Sequence, residues 1–84
     1  MITSEQIRAA RQLVRITAEQ LAHRSGVGLA TIRRYELATG VPPGSARALN
    51  SIKKALEEAG VEFIGTPEEG AGVRFALRQR KELL

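Results

Sequence analysis

One stretch near the N-terminus, residues 17–37, decides the fold, and it reads TAEQLAHRSGVGLATIRRYEL. Its first four residues, 17–20, form a capping box of the Thr-x-x-Gln type, which starts a helix. Gly26 is expected to end that helix, because glycine adopts the left-handed conformation of a C-terminal cap at little cost. A second helix, Leu29–Leu37, ends before a proline and glycine run at residues 42–44 that cannot continue it. The stretch therefore predicts two short helices joined by a tight turn.

Two further helices are predicted around this pair. Residues 3–6 repeat the capping box, ahead of apolar residues at helical spacing. Ser45 is expected to cap a helix of about four turns that ends near Gly60. The helical periodicity predicts a shared apolar core composed of Ile7, Val14, Leu21, Ile32, Leu49, Ile52 and Leu56.

The pattern changes after residue 60. Residues 61–64 and 73–77 alternate apolar and other side chains, and the segment between them is rich in glycine. Alternation on either side of such a loop is typical of a β-hairpin. The predicted fold class is therefore mainly α, with four helices followed by a small two-stranded hairpin.

Composition excludes several classes of function. A chain of 84 residues buries a modest core and does not enclose a deep catalytic pocket, so we expect no enzyme. Without cysteine, and with His23 as the single histidine, it offers neither a disulfide framework nor a metal site, and we expect no cofactor. The first residues lack a basic stretch followed by an apolar run, and no segment is long enough to cross a bilayer. We expect a cytoplasmic protein that does not bind membranes.

The charge is concentrated in the front of the chain. The formal net charge is +4, and residues 1–50 carry seven arginines and no lysine against three glutamates. Arginine is the side chain best suited to forked contacts with phosphate or guanine. The distribution is compatible with a polyanionic partner, and equally with arginines that are merely solvated.

Residues 20–27, QLAHRSGV, and 30–36, ATIRRYE, carry the strongest resemblance to known proteins. They are similar to the Cro/C1-type helix-turn-helix, or XRE, family of bacterial and phage regulators, and the resemblance extends over about residues 5–59. It implies a four-helix, lambda-repressor-like DNA-binding domain at residues 1–60. Residues 55–63 resemble a subgroup of short members that end in a hairpin. We expect residues 61–84, the hairpin and the tail, to act in dimerisation.

The resemblance implies a role for individual residues. Leu29–Leu37 corresponds to the recognition helix, with Leu29, Ala30, Arg33 and Arg34 facing base edges. Arginine can fork onto O6 and N7 of guanine, whereas Leu29 and Ala30 can contact only thymine methyl groups. Ala18 and Gly28 stand where the family often has glutamine and a serine or asparagine cap. The implied phosphate contacts are Thr17, Ala18, Thr31, Arg24 and Leu37, and the implied structural ion pair is Arg11 with Glu36.

A single module of this size offers a small interface, so we expect a homodimer on an inverted-repeat operator, acting as a repressor at the bacterial nucleoid. The hairpin is the expected dimer contact, through the apolar residues Val61, Phe63, Val73, Phe75 and Leu77. Two alternatives stay open. One is an antitoxin or adaptor that holds a partner protein with its hairpin, and the other is an interaction domain that has lost DNA binding.

Overall fold

A computed structural model describes residues 1–76 of the chain. Its elements are α1 (Ser4–Leu13), α2 (Ala18–Ser25), α3 (Leu29–Leu37), α4 (Ala46–Glu58), β1 (Val61–Ile64) and β2 (Gly72–Phe75). The predicted fold class is confirmed, since four helices precede a two-stranded antiparallel hairpin. Among residues 1–76, no helix is long and apolar enough to span a bilayer.

Side-chain caps set the starts of the first two helices. The Thr3 hydroxyl accepts a hydrogen bond from the Gln6 amide at 3.1 Å, and the Gln6 side-chain oxygen accepts one from the Thr3 amide at 2.8 Å. Thr17 and Gln20 make the same reciprocal pair, at 3.0 and 2.8 Å. Gly26 ends α2 with a φ of 73°, in the left-handed region. Both capping boxes thus satisfy amides that the first turn of a helix leaves unpaired.

The core lies between the four helices and extends under the hairpin. Six of the seven predicted core residues are buried, whereas Val14 is only partly buried at the edge of the cluster. Six further residues of the buried cluster lie outside the predicted set, at the chain start, in the loop after α1, on α1, α3 and α4, and in the hairpin. They are Ile2, Ala10, Ile16, Tyr35, Ala55 and Val61.

The hairpin packs against the first and last helices. Val61 pairs with Phe75 and Phe63 with Val73, so these four side chains share one face of the hairpin. That face covers the core, and Val61 is only 2% exposed. The side-chain Nε2 of Gln6 donates to the carbonyl oxygens of Ile64 and Gly72, at 3.3 and 2.9 Å, and thereby ties α1 to the far end of the ladder. The second strand ends at Phe75, and Leu77 lies outside the described residues.

The loop between α3 and α4 passes directly over a buried tyrosine. Tyr35 is 2% exposed, and Gly44 lies on its hydroxyl with a φ of 148°. A Cβ atom at Gly44 would stand 2.2 Å from the Tyr35 hydroxyl oxygen. A glycine is therefore required at this position, both for the backbone angle and for space.

The close approach of Gly44 to Tyr35 predicts a loss of stability for Gly44→Ala. The added methyl group must displace a buried ring, so the free energy of unfolding should fall by about 1–3 kcal/mol in urea or thermal unfolding. Gly28→Ser is the matched control, because Gly28 has ordinary backbone angles and open space around it. The control should unfold like the parent or slightly later, since serine can cap α3. Equal losses of stability in Gly44→Ala and Gly28→Ser would contradict the requirement for glycine at position 44.

Candidate nucleic-acid interface

Helix α3 presents a face with two adjacent arginines to solvent. Ala30, Arg33, Arg34 and Leu37 are exposed and recur at the i, i+3, i+4 and i+7 spacing of one helix face. The opposite side holds Ile32 and Tyr35 in the core. The guanidinium of Arg34 lies over the Tyr35 ring, 5.7 Å from its centroid. The helix therefore offers two arginines on a surface that no other described element covers.

Three of the predicted base-contacting or phosphate-contacting residues are less accessible. Leu29 and Thr31 are half-buried at the sides of α3, and Ala18 is half-buried at the start of α2. Leu37, by contrast, is 86% exposed, and because its side chain has no polar group, it can reach a phosphate only through its main chain. The exposed face is thus shifted toward the second half of the helix.

The C-terminal end of α3 is held by two arginines of α1. Arg11 and Glu36 form a two-pronged ion pair, with Nε–Oε2 at 2.8 Å and Nη2–Oε1 at 3.0 Å. Their side chains are only 22% and 11% exposed. The hydrogen bond to Glu36 raises the pKa of Arg11 above its usual value, so the pair keeps its arginine charged. Arg8 adds hydrogen bonds from Nη1 to the main-chain carbonyls of Glu36 and Ala38.

The loop after α3 is fixed by the start of α1. The Ser4 amide donates to the Gly40 carbonyl at 2.8 Å, and the Gly40 amide donates to the Glu5 carboxylate at 3.1 Å. The pKa of Glu5 is lowered, mainly by a hydrogen bond from its own backbone amide and further by the Gly40 amide. A lowered pKa means that the contact stabilises the fold above the ordinary value of 4.5 and is lost as the pH falls below it.

The start of α2 lies on one flank of α3. The hydroxyl of Thr17 is occupied by the Gln20 amide, so Ala18 and Glu19 keep main-chain amides without an intrahelical partner. Arg33 reaches toward this end and pairs with Glu19 at 3.5 Å, with both side chains more than half exposed. An exposed pair of this kind is weak, and it leaves Arg33 available to an external partner.

The start of α3 has weaker support than its end. Gly28 precedes the helix and makes no side-chain capping hydrogen bond, as its lack of a side chain predicts.

Both Arg24 and His23 are exposed on the last turn of α2, and neither forms an ion pair within residues 1–76. The part of the chain that the structure describes contains no group of three His, Asp or Glu residues placed to hold a metal ion.

The described hairpin residues predicted to mediate dimerisation all lie on the face that covers the core. Val61 lies in the core of its own chain, and Phe63 and Val73 are partly buried against that core. Phe75 is 44% exposed at the margin of the same face. The opposite face carries the ion pair of Glu62 and Arg74, with Nη2–Oε2 at 2.9 Å. Only Phe75, among the described members of the predicted set, has substantial surface left for a partner.

The sequence relationship agrees with this geometry. A helix-turn-helix family model of the Cro/C1, or XRE, type matches residues 7–49, half of the chain, a span that contains most of α1, all of α2 and α3, and the start of α4. The chain belongs to this family, whose members are DNA-binding transcription regulators and generally not enzymes. No curated protein matches the chain significantly.

Sequence reasoning missed three residues of the site. Arg8 was readable in principle, because it stands three residues before Arg11 and so shares its face of α1. Tyr35 was not assigned to the core, although it follows Ile32 by three residues. The pairing of Glu19 with Arg33 joins two helices across fourteen residues, and no local signal predicts it.

Because the Arg11–Glu36 pair is largely shielded from water, we predict strong coupling between its two members. Removing one partner leaves a charge in a poorly solvated place, so each single alanine variant should lose more stability than the pair contributes. A double-mutant cycle of Arg11→Ala and Glu36→Ala in thermal or urea unfolding should give a coupling free energy of about 1–3 kcal/mol.

The Glu62–Arg74 pair is the matched control for this cycle. It is also two-pronged but is exposed on the hairpin, so its coupling should be much smaller. Additive effects of Arg11→Ala and Glu36→Ala would contradict the idea that this pair holds α3.

Proposed function

We propose that the protein is a sequence-specific regulator of transcription that binds double-stranded DNA with α3 in the major groove. The observation that carries this proposal is the exposed pair Arg33 and Arg34 on a helix whose far side is buried and whose C-terminal end is held by α1. A positioned helix of this size fits the major groove, and its arginines supply the donors that read guanine. The family match supports the same class of function.

Each face of α3 contributes differently to the proposed contact. Arg33 and Arg34 are the proposed guanine readers, while Ala30 and the half-buried Leu29 can contact thymine methyl groups. On the flank of α2, the amides of Ala18 and Glu19 are the proposed phosphate donors, since helix N-termini attract anions. Thr17, Thr31, Arg24 and the main chain of Leu37 complete the proposed backbone contacts.

We propose further that two copies bind together as a repressor in the bacterial cytoplasm, at the nucleoid. Two recognition helices on one side of the duplex reach successive major grooves about 34 Å apart, which requires an inverted-repeat operator. The hairpin remains the proposed contact, but Phe75 and the strand edge beside it carry it, because the other described apolar residues cover the core. A two-fold axis would place each Phe75 against the other copy.

The proposed reading helix predicts a specific loss of DNA binding in Arg33→Ala/Arg34→Ala. Genomic fragments selected by the parent protein should bind at least about tenfold more weakly, because each forked guanine contact is worth about 1–3 kcal/mol. Gel shift or fluorescence anisotropy at several salt concentrations measures the loss. Affinity of the parent protein should also fall steeply with salt, as expected for phosphate contacts.

Lys53→Ala/Arg74→Ala is the matched control, since it also removes two positive charges, one from α4 and one from the hairpin. It should bind the selected fragments nearly as well as the parent protein. If the two double variants lost affinity equally, net charge alone would determine the affinity for DNA. If the parent protein bound no fragment at all, the proposed function would be overturned.

The dimer proposal predicts that Phe75→Glu separates the two copies. At a two-fold axis each introduced carboxylate is buried against the same carboxylate of the other copy, and the two negative charges repel. Sedimentation velocity should therefore show a monomer at concentrations where the parent protein is a dimer. Val41→Glu is the control, because Val41 is similarly exposed, at 40%, but lies in the loop after α3. A dimer that survives Phe75→Glu would contradict the proposed interface.

An antitoxin or adaptor acting through the hairpin is the competing proposal. It predicts that a stoichiometric protein partner co-purifies with the chain and that Phe75→Glu releases this partner while DNA binding persists. A regulator that acts without a protein partner predicts a different result. The purified sample should contain this chain alone, and Phe75→Glu should lower the affinity for DNA because it dissociates the dimer.

A further inference from the structure

The ion pair between α2 and α3 places a negative charge beside the proposed reading helix. Glu19 is the second residue of α2, and its Oε2 lies 3.5 Å from Nη2 of Arg33. The two side chains are 63% and 61% exposed, so both open onto the same solvent-facing surface. Among the ion pairs of residues 1–76, this is the only one that includes an arginine of the outward face of α3.

The other two glutamates of residues 1–50 are held by the scaffold. Glu36 is only 11% exposed and is bound by both prongs of Arg11, and Glu5 accepts a hydrogen bond from a loop amide. For the Glu19 carboxylate, the only hydrogen-bond donor within the described residues is Arg33. The hydrogen bond to Glu36 is the main cause of the raised pKa of Arg11, and the charge of Glu19 adds to it. The charge of Glu19 therefore lies toward α1 and α3.

A carboxylate at this place opposes DNA binding in general. At the first turn of α2, the amides of Ala18 and Glu19 are proposed to meet a phosphate, and a negative side chain repels that group. A carboxylate in the first turn also stabilises a helix, but this effect does not require an arginine from another helix. The contact with Arg33 gives Glu19 a second effect, because it acts on an arginine that DNA has to reach.

An exposed arginine can bind two different parts of a DNA duplex. Its guanidinium forks onto a phosphate of any sequence, or onto O6 and N7 of guanine. The phosphate carries a full negative charge and the guanine edge carries none, so a nearby carboxylate repels the phosphate and tolerates the base. A glutamate next to an arginine therefore favours contact with the base over contact with the backbone.

We propose that Glu19 is a specificity-determining residue, which keeps Arg33 off the phosphate backbone and reserves it for guanine. The proposal rests on the proposed DNA-binding function. Arg34 is not restricted in this way, because it has no carboxylate partner within residues 1–76 and lies over the Tyr35 ring. The two neighbouring arginines thus differ, since Arg33 serves discrimination between sequences and Arg34 serves both discrimination and affinity.

The test compares Glu19→Gln with the parent chain on two duplexes, a selected genomic fragment and one of unrelated sequence, by fluorescence anisotropy at several salt concentrations. Glutamine keeps the size and an acceptor oxygen and removes the charge. Affinity for the unrelated duplex should rise about two- to fivefold, the usual value of one exposed charge pair. The slope of log K against log salt should steepen by about 1, because Arg33 gains a phosphate. Affinity for the selected fragment should rise less, so the ratio of the two affinities should fall.

The variant Arg33→Ala shows whether the effect passes through Arg33. In that background, Glu19→Gln should leave the affinity and the salt slope for the unrelated duplex nearly unchanged. A glutamate that only stabilised α2, or only lowered the net charge, would act in the same way with and without Arg33. Equal effects of Glu19→Gln in the two backgrounds would therefore overturn the proposal.

Glu57→Gln is the matched control, because it removes the same charge from α4, where Glu57 is 47% exposed and pairs with Lys53 at 3.7 Å. It should bind both duplexes nearly as the parent chain does. An unchanged ratio of affinities in Glu19→Gln, while Arg33→Ala/Arg34→Ala still loses binding, would overturn the role of Glu19 and leave the proposed function standing. Failure of the parent chain to bind any duplex would overturn both.

Discussion

The attachment of α3 to α1 is the constraint on which the rest of the site depends. Glu36 at the end of α3 is bound by Arg11 through its carboxylate and by Arg8 through its carbonyl. The ion pair is mostly shielded from water, so the cost of desolvating its two charges opposes their attraction. The two-pronged ion pair holds α3 in one orientation relative to α1.

From that orientation follows the division of α3 into two sides. Ile32 and Tyr35 are directed into the core, and Arg33 and Arg34 are directed outward. The same arrangement places Arg33 toward the start of α2 and Arg34 toward the start of α4. An outward arginine pair flanked by two helix N-termini is a surface built for a polyanion that has two backbones and a groove between them.

Much of the fold could be predicted because its signals are local. The capping boxes at Thr3 and Thr17 place the starts of α1 and α2, and Gly26 ends α2, since each acts over four residues or fewer. The orientation of the hairpin could not be predicted in this way. Alternation predicted the two strands, but their register and the surface that covers their apolar face depend on contacts with α1 and Gln6, nearly sixty residues earlier in the chain.

The candidate site shows the same limit. The arginines of α3 were expected from the resemblance of residues 30–36 to the family, whereas the positions of Arg8 and Tyr35 depend on contacts between elements. Tyr35 is an example, because its burial under Gly44 is set by the path of a loop and not by the helix that carries it. Local patterns thus gave the bounds of α3, whereas the surfaces on its two flanks emerge only from the packed structure.

The most direct test of the account is a titration of the isotopically labelled protein with a selected operator duplex, followed by amide chemical shifts in NMR spectra. DNA binding through α3 predicts the largest shifts along the outward face of α3 and at the first turn of α2, with little change at Glu62 and Arg74 on the outer face of the hairpin. Shifts confined to the hairpin, with α3 unperturbed, would contradict it.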